Sequence, residues 1–303
     1  MKIGYLGLGK MGENMVMRLL EQGIEVVAWN RSSQPLDEVA AAGAIATTDP
    51  VNLVSKLEVP RIVWLMFPAG EITDEFINQL IPLLSPGDLV IDGANSFYED
   101  TIRRAKLLAE KSIRFMDIGV SGGPGGARTG ACLMVGGKKA DYEEVLPLIK
   151  AASAPNAYCY MGPVGAGHFT KMVHNGIEYG MMESIAEGFA VLKKSPFKID
   201  LRAAADIYQH RSVVESRLMG WLKEALDEDE NLAETSSLIG ATGEGEWTVK
   251  TAQKLDVNTP VIADSFRVRT ESAKVAEESA DGFRNKAVSA MRGKFGQHKV
   301  KKS

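Results

Sequence analysis

The feature that most constrains this chain is a GxGxxG glycine fingerprint at residues 7–12. It directly follows an apolar run typical of a strand, at 2–6, and it opens a stretch with helical periodicity. In that context the three glycines permit a tight turn, close approach of a pyrophosphate, and close packing of the helix. A glycine cluster often marks only a turn, but this setting favours dinucleotide binding. The expected contacts come from the whole motif: Gly7, Leu8, Gly9, Lys10, Met11 and Gly12.

Short apolar runs alternate with amphipathic stretches through the first half of the chain, which is the βαβ rhythm of a parallel sheet. The predicted strands are 2–6, 26–29, 62–66, 89–91, 115–118 and 133–135, and the intervening helices include 14–21 and 75–84. One long helix is then predicted from about Ala166 to Lys194, and only helices follow. We therefore predict an α/β protein, with a doubly wound Rossmann domain at 1–162 and an all-α domain at 163–303.

Composition and charge narrow the class of protein. With 303 residues, 45% of them hydrophobic, the chain can bury two cores. Cys132 and Cys159 are too few for a disulfide framework, and neither they nor the four histidines show metal-ligand spacing, so no metal is predicted. A net charge of −4 argues against nucleic-acid binding. Without a leader pattern or a long apolar run, we expect a cytoplasmic protein that does not bind membranes.

The end of the second strand indicates which nicotinamide cofactor is bound. An acidic residue there would bind the ribose 2′-hydroxyl of NAD, whereas an arginine can pair with the 2′-phosphate of NADP. The strand ends in Asn30, Arg31 and Ser32, with no carboxylate and with three side chains that can donate to phosphate. NADP is therefore predicted, with NAD as the alternative if Arg31 points into solvent.

Two more predicted strands end in loops that would lie over the same crevice. Phe67 and Pro68 follow the strand at 62–66 and are predicted to form a wall of the cofactor site. Asn95 follows the strand at 89–91 and could reach either the nicotinamide or the substrate, although a turn-forming asparagine explains it as well.

A glycine-rich run follows another strand, beginning Ser121, Gly122 and Gly123. Successive backbone N–H groups in such a run can hold a carboxylate or a phosphate. A flexible loop is the simpler explanation, but the position at the carboxyl end of a strand favours anion binding. We predict that these three residues bind substrate.

The long helix carries a polar stripe in apolar surroundings. Lys171, His174, Asn175 and Glu178 stand at i, i+3, i+4 and i+7, so they share one face. A buried lysine with a lowered pKa can remove a hydroxyl proton as hydride leaves a 3-hydroxy acid. Loss of CO2 would then give an enediol, which Glu178 can protonate on carbon while Asn175 holds a hydroxyl. Lys171, Glu178 and Asn175 are the predicted catalytic residues, and His174 is predicted to bind substrate.

Three segments together resemble 6-phosphogluconate dehydrogenase: the GLGxMGxNM start, the SGGxxGA loop and the KMVHNGIEYGMME helix. The wider β-hydroxyacid dehydrogenase family shares the first two and the lysine, whereas 174–179 resembles only the phosphogluconate branch, with Tyr179 as a phosphate ligand. The resemblance covers the whole chain, which is similar to the compact members of the family. It implies oxidative decarboxylation of 6-phospho-D-gluconate to ribulose 5-phosphate and CO2 with reduction of NADP, in the pentose phosphate pathway.

The C-terminal region is similar to the family in the same way. Arg292 and His298 match an RxxFGxH tail, which implies that both bind the substrate phosphate from the neighbouring subunit of a homodimer. Arg269 matches a further phosphate-binding arginine, although Arg267 leaves that assignment open.

The segment 240–248 departs from the family pattern, because the lysines of the family's KGTGKWT sequence are missing here. Only Thr242 is carried over as a substrate contact. Glu244 and Glu246 would repel a phosphate unless they point away from it.

Two other functions are compatible with the pattern. A 3-hydroxyisobutyrate or semialdehyde dehydrogenase of the wider family would use the same fold and Lys171, but it would leave the arginines and His298 idle. A nucleotide-binding protein without catalytic activity could retain the fingerprint alone. The intact pair Lys171 and Glu178 argues against the second possibility.

Overall fold

A computed structural model of the protein describes residues 1–240, 243–296 and 300. The chain divides into two compact units, residues 1–172 and 173–303. The division falls inside one long helix rather than at residue 162, so this helix contributes to both units.

The first unit contains an eight-stranded sheet in the order β3-β2-β1-β4-β5-β6-β7-β8. All neighbours pair in parallel except β6 and β7, which are antiparallel. The strands are β1 (Lys2–Leu6), β2 (Glu25–Trp29), β3 (Ile45–Thr47), β4 (Ile62–Leu65), β5 (Leu89–Asp92), β6 (Arg114–Ser121), β7 (Ala131–Gly136) and β8 (Ser153–Gly162).

Helices cover this sheet, which confirms the predicted doubly wound Rossmann architecture. They are α1 (Lys10–Glu21), α2 (Ser33–Ala41), α3 (Pro50–Ser55), α4 (Glu71–Leu80), α5 (Tyr98–Ala109), α6 (Gly123–Thr129), α7 (Lys139–Glu144) and α8 (Leu146–Ala152), with a 3₁₀ turn at Ile81–Leu83. The central strands β4 and β5 are buried along their whole length, including Asp92 at the end of β5.

The sequence pattern does not predict two of the strands, β3 and β8. The edge strand β3 has only three residues, two of them exposed, so it carries no clear pattern. Strand β8 is largely solvent-facing and polar, and its tyrosines alternate with small residues instead of forming an apolar run. Both extend the sheet at its edges, and the six predicted strands are all present.

The second unit is helical, as predicted. Its described part contains the end of α9 (Ala166–Lys194), then α10 (Leu201–Tyr208), α11 (Arg217–Glu228), α12 (Glu244–Lys254), α13 (Pro260–Glu271) and α14 (Ala280–Gly296), with a 3₁₀ turn at Ser272–Lys274. The bounds of α9 confirm the prediction of one helix over 166–194. A core formed mainly by α9, α10, α11 and α14 holds this unit together, with Phe189, Leu222 and Met291 buried in it.

The topology brings the predicted site residues of the first unit to one edge of the sheet. Strands β1, β4, β5 and β6 are parallel, so the residues after their carboxyl ends lie along the same edge. Those residues are Gly7, Phe67 and Asn95, and Ser121 is the last residue of β6. Within the described residues, no helix is long and apolar enough to cross a membrane.

Candidate active site

At each glycine of the fingerprint, an added side chain would have a different steric consequence. Gly7 adopts a φ of +99°, and a side chain there would collide with the carbonyl oxygen of Met66. A Cβ on Gly12 would collide with the carbonyl oxygen of Gly7. Above Gly9, in contrast, no heavy atom lies within 4 Å of an added Cβ. This open backbone at the start of α1 fits a pyrophosphate, so the motif can hold a dinucleotide as predicted.

The residues after β2 include Asn30, which is hydrogen-bonded to the fingerprint, and the exposed Arg31. The Asn30 side chain accepts a hydrogen bond from the Leu8 backbone N–H at 2.9 Å and donates to the Ser32 hydroxyl at 2.9 Å. Both ends of the Asn30 amide are used within the protein, and its contact with the cofactor stays a prediction. Arg31 is exposed and makes no hydrogen bond or ion pair with any described residue. Its guanidinium can bind a 2′-phosphate, and the Ser32 hydroxyl, which accepts a hydrogen bond from Asn30, can still donate one.

Phe67 lies in an aromatic cluster after β4. Its ring stacks on Phe76 with centroids 4.2 Å apart, and Trp29 contacts both rings. The carbonyl of Pro68 accepts a hydrogen bond from the Thr73 hydroxyl at 3.0 Å. The loop is thus held rigidly at the sheet edge, where a wall of the cofactor site was predicted.

The turn that carries Asn95 is fixed by a buried ion pair that the sequence analysis did not identify. Asp92 is fully buried and accepts hydrogen bonds from the Ala94 backbone N–H and the Ser96 hydroxyl, each at 3.0 Å. Arg104 donates to Asp92 at 3.2 Å and to Ser96 at 2.8 Å. An aspartate at the end of an apolar strand was the signal for it, because a buried carboxylate needs partners. Asn95 itself is half-buried.

The glycine-rich run is not a flexible loop, the alternative to anion binding that the sequence left open. Strand β6 continues to Ser121, Gly122 caps a helix with φ +122°, and Gly123 already begins α6. The N–H of Gly126 is used by the carbonyl of Gly122 at 3.0 Å. Fewer backbone N–H groups are therefore free than a loop would offer, and Ser121, Gly122 and Gly123, all half-buried, are the part that faces the sheet edge.

Lys171 is held by close packing of α9 on β6. The side chain is 8% exposed, and a Cβ on Gly119 would collide with its Cβ. The buried carboxylate of Asp117 accepts hydrogen bonds from the backbone N–H groups of Gly165, at 2.7 Å, and His168, at 2.8 Å. The Asp117 carboxylate therefore caps the helix. A capped and tightly packed first turn fixes the position of Lys171.

His168 is buried and hydrogen-bonded within the protein. It is 1% exposed, and its Nδ1 lies 2.7 Å from the Thr101 hydroxyl. His210 is exposed on the surface, as predicted for a peripheral residue, with Nδ1 2.6 Å from the carbonyl of Asp206.

Further along α9, the remaining residues of the predicted polar stripe lie within the same helix. His174, Asn175 and Glu178 are half-buried. The Nδ1 of His174 lies 3.0 Å from Oδ1 of Asn175 and 3.8 Å from Oε2 of Glu178. His174 therefore lies within hydrogen-bond distance of Asn175 and within ion-pair distance of Glu178.

A cluster of buried cations lies around Tyr179. The guanidinium carbon of Arg269 lies 3.3 Å from the centre of the Tyr179 ring, and Arg269 and Arg292 are 3% and 7% exposed. Neither arginine forms an ion pair or a hydrogen bond with any described residue, and the Tyr179 hydroxyl is also without a hydrogen-bond partner there. Burial lowers the pKa of Arg269 to about 10 and lowers the pKa of Arg292; nearby Tyr179 opposes both shifts. We call these three residues the arginine–tyrosine cluster.

Arg267 does not share this environment. It is exposed and pairs with Asp264 at 3.3 Å and with Glu271 at 3.1 Å. Of the two arginines that the sequence left open, Arg269 is thus the one placed beside Tyr179.

Arg292 lies in this cluster within its own chain. Its side chain packs so closely on residue 240 that a Cβ there would come within 2.8 Å of Nη1. The expectation that Arg292 reaches a phosphate bound in the neighbouring subunit stays a prediction. His298 and Thr242, also predicted to bind substrate, lie outside the described residues.

The two acidic residues in the first turn of α12 differ in their burial and in their contacts. Glu246 points away from the cluster and pairs with Lys250. Glu244 is 4% exposed and close enough to Arg292 to oppose the lowering of its pKa. A side chain on Gly245 would come within 2.5 Å of the Tyr179 ring, so α12 also packs directly on the cluster. In the described part of the chain, no group of three or more His, Cys, Asp or Glu side chains could hold a metal ion.

Comparison with known proteins assigns both halves of the chain to one enzyme family. A model described as the NAD binding domain of 6-phosphogluconate dehydrogenase matches residues 2–165, and one described as the C-terminal domain of that enzyme matches residues 167–302. The Bacillus subtilis protein YqeC, provisionally named a 6-phosphogluconate dehydrogenase, is 43% identical over 302 residues, which is 100% of both chains.

Two further relatives differ in cofactor and length. A Haloferax volcanii protein named as the NAD(+)-dependent, decarboxylating enzyme is 36% identical over 99% of this chain and 98% of its own. The solved structure of the Plasmodium falciparum enzyme, described with NADP+ and with 6-phosphogluconate, has a TM-score of 0.83 at 28% identity and covers 96% of this chain and 70% of its own.

Proposed function

This chain belongs to the 6-phosphogluconate dehydrogenase family, and from that premise we propose that it oxidises and decarboxylates 6-phospho-D-gluconate to ribulose 5-phosphate and CO2, with NADP as the oxidant. The substrate class is a small phosphorylated sugar acid. The proposal includes a place in the pentose phosphate pathway, a cytoplasmic location and a homodimeric state.

The arginine–tyrosine cluster is the observation that carries this proposal. An isolated charge is costly to bury, and protein interiors normally pair such charges. Arg269 and Arg292 have no ion-pair partner in the described residues, although both are buried. A phosphate dianion would supply the missing partner, and the guanidinium fork matches phosphate oxygens. An unphosphorylated hydroxy acid would leave both cations unpaired, which argues against the 3-hydroxyisobutyrate alternative.

The chain's own residues account for the remaining steps. Lys171, in its neutral form, removes the proton of the hydroxyl β to the carboxylate. The carbon that bears this hydroxyl gives up a hydride, for which a nicotinamide bound at the fingerprint would supply the acceptor. Loss of CO2 from the resulting β-keto acid leaves an enediol, and Glu178 protonates it on carbon. His174 and Asn175 orient the hydroxyls, while Asn95 and residues 121–123 hold the carboxylate until it leaves.

The preference for NADP rests on the end of β2. No carboxylate is present there to bind a ribose 2′-hydroxyl, Asn30 is used within the protein, and Arg31 is unpaired among the described residues. Replacing Arg31 with Met should lower kcat/KM for NADP roughly 10- to 100-fold, since a charge-assisted phosphate contact is lost, and should leave kcat/KM for NAD unchanged. An equal loss of kcat/KM with NADP and NAD would contradict the proposed contact between Arg31 and the 2′-phosphate.

The reaction is tested by measuring nicotinamide reduction with 6-phosphogluconate, gluconate and 3-hydroxyisobutyrate in parallel, while released CO2 is trapped. Turnover confined to the phosphorylated acid, with one CO2 per reduced nicotinamide, is the expected result. A rate with 3-hydroxyisobutyrate instead would move the chain to the wider β-hydroxyacid dehydrogenases. Binding of NADP without turnover of any acid would indicate a protein that binds nucleotides only.

A further inference from the structure

A second cation-lined site lies in the helical unit, away from the residues assigned above. It is a cavity of about 270 Å³ where the end of α9 faces the start of α14. Lys193 and Lys194 of α9 and Lys286 of α14 line it. The charge of the cavity is set by these lysines together with Glu277 and Glu278, which precede α14.

Lys286 is the group that points to a ligand. It is 5% exposed, and it makes no hydrogen bond or ion pair with any residue in the described ranges. A buried ammonium group ordinarily has a carboxylate or several acceptors around it. Neither glutamate of the cavity pairs with it, although both line the same space. Three lysines and two glutamates line the cavity, so its lining carries a net charge of +1.

The neighbouring lysines add to this charge. The Nζ of Lys193 donates to Oδ1 of Asn231 at 2.8 Å and lies 4.3 Å above the Phe283 ring, with no described carboxylate in ion-pair range. Burial lowers the pKa of Lys193, and Lys194 and Lys286 lower it further by repulsion, while Glu230 and Asp229 oppose the shift. Three ammonium groups thus repel one another around one cavity, and an anion bound among them would relieve that repulsion.

The start of α14 supplies a further attraction for an anion. This helix has 17 residues, and its first residue, Ala280, lines the cavity. The positive end of the helix dipole and the N–H groups of the first turn favour negative charge there. The Ser279 hydroxyl already accepts the N–H of Gly282 at 2.9 Å, which orders the turn.

We propose that this cavity, which we call the α9–α14 site, binds the phosphate group of a small metabolite and is separate from the arginine–tyrosine cluster. Lys286 is the central contact, and Lys193 and Lys194 close around the phosphate. The proposal does not depend on the proposed reaction, since a chain that fails to oxidise 6-phosphogluconate would still carry this site.

The test reads the site directly by lysine acetylation and mass spectrometry, with inorganic phosphate as the probe at constant ionic strength. Bound phosphate should slow acetylation of Lys193 and Lys194 roughly fivefold at a phosphate concentration about four times Kd. Lys286→Met retains the apolar stem and should abolish that protection. Lys250→Met is the matched control, because Lys250 is exposed and pairs with Glu246; protection should persist in it.

A second variant and a second measurement keep the test decisive. Arg292→Met should lose the arginine–tyrosine cluster but keep the protection of Lys193 and Lys194. In phosphate-free buffer Lys286→Met should unfold at a higher temperature than the wild type, since an unpaired buried charge is gone. Unchanged acetylation with phosphate, protection retained in Lys286→Met, or protection lost in Arg292→Met would each overturn the proposal. Protection by citrate but not by phosphate would do so as well.

Discussion

At the scale of single residues, the helical unit contains a carboxylate in an unusual setting. Glu183 follows Tyr179 by one turn of α9 and is 5% exposed. Its Oε1 lies 3.0 Å from Nε of Arg284. Burial nevertheless raises its pKa to about 7, because desolvation outweighs the attraction of Arg284; Glu187 and Asp281 add to the rise, and Arg269 opposes it.

This raised pKa predicts a stability that falls with rising pH. Between the ordinary pKa of 4.5 and about 7, the folded chain keeps a proton on Glu183 that the unfolded chain has lost. The free energy of unfolding should therefore decrease across that window, by up to about 3 kcal/mol from this group. Glu183→Gln cannot titrate, so relative to the wild type it should gain stability between pH 5 and pH 8 in urea unfolding. Parallel pH profiles for the two proteins would contradict the assignment.

At the scale of elements, the start of α9 packs closely against the sheet because glycines stand at the contact. Helix and sheet approach so closely that a Cβ on Gly119 of β6 would collide with Cβ of Lys171 and come within 2.9 Å of the Gly167 carbonyl. A Cβ on Gly167 would in turn lie 2.5 Å from the Met134 carbonyl. Backbone-to-backbone packing of this kind leaves Lys171 little freedom to move.

Gly119→Ala should therefore reduce kcat by roughly 10- to 100-fold, because a shift of about 1 Å in Lys171 misplaces the base. Binding of the dinucleotide at the fingerprint should be unaffected, as measured by cofactor fluorescence. Gly188→Ala is the control on the same helix: it is exposed, no heavy atom lies within 4 Å of an added Cβ, and the change should stabilise the helix by about 0.5–1 kcal/mol without affecting kcat. A normal kcat for Gly119→Ala would show that Lys171 is not positioned by this contact.

At the scale of the whole molecule, the two units carry different parts of the proposed chemistry. The first unit holds the fingerprint, Arg31, Asn95 and Lys171, and the second holds Glu178 and the arginine–tyrosine cluster. Helix α9 is the element shared by both units. Lys171 and Tyr179 lie on this one helix, and Arg292 lies near Tyr179.

That arrangement predicts the outcome of a subunit-mixing experiment. If the chain is a homodimer, purified heterodimers of a Lys171→Ala chain and an Arg292→Ala chain should be as inactive as either parent, since each site would then carry one lesion. A phosphate ligand supplied by the neighbouring subunit would instead restore about half of the wild-type rate, because one site of two would be intact. Heterodimers of wild-type and Lys171→Ala chains, prepared in the same way, provide the half-active control.

The sequence alone determined the features that depend on residues close together in the chain. The order of strands and helices, the span of α9 and the position of the glycine fingerprint follow from periodicity and from backbone sterics, which are local. Only the tertiary structure decided which of Arg267 and Arg269 is buried, that Asn30 is occupied by Leu8 and Ser32, that Asp117 caps α9, and that Arg292 lies beside Tyr179 of its own chain. The physical reason is that burial and pairing are set by contacts between residues far apart in sequence, and no local pattern records which of two similar side chains will make them.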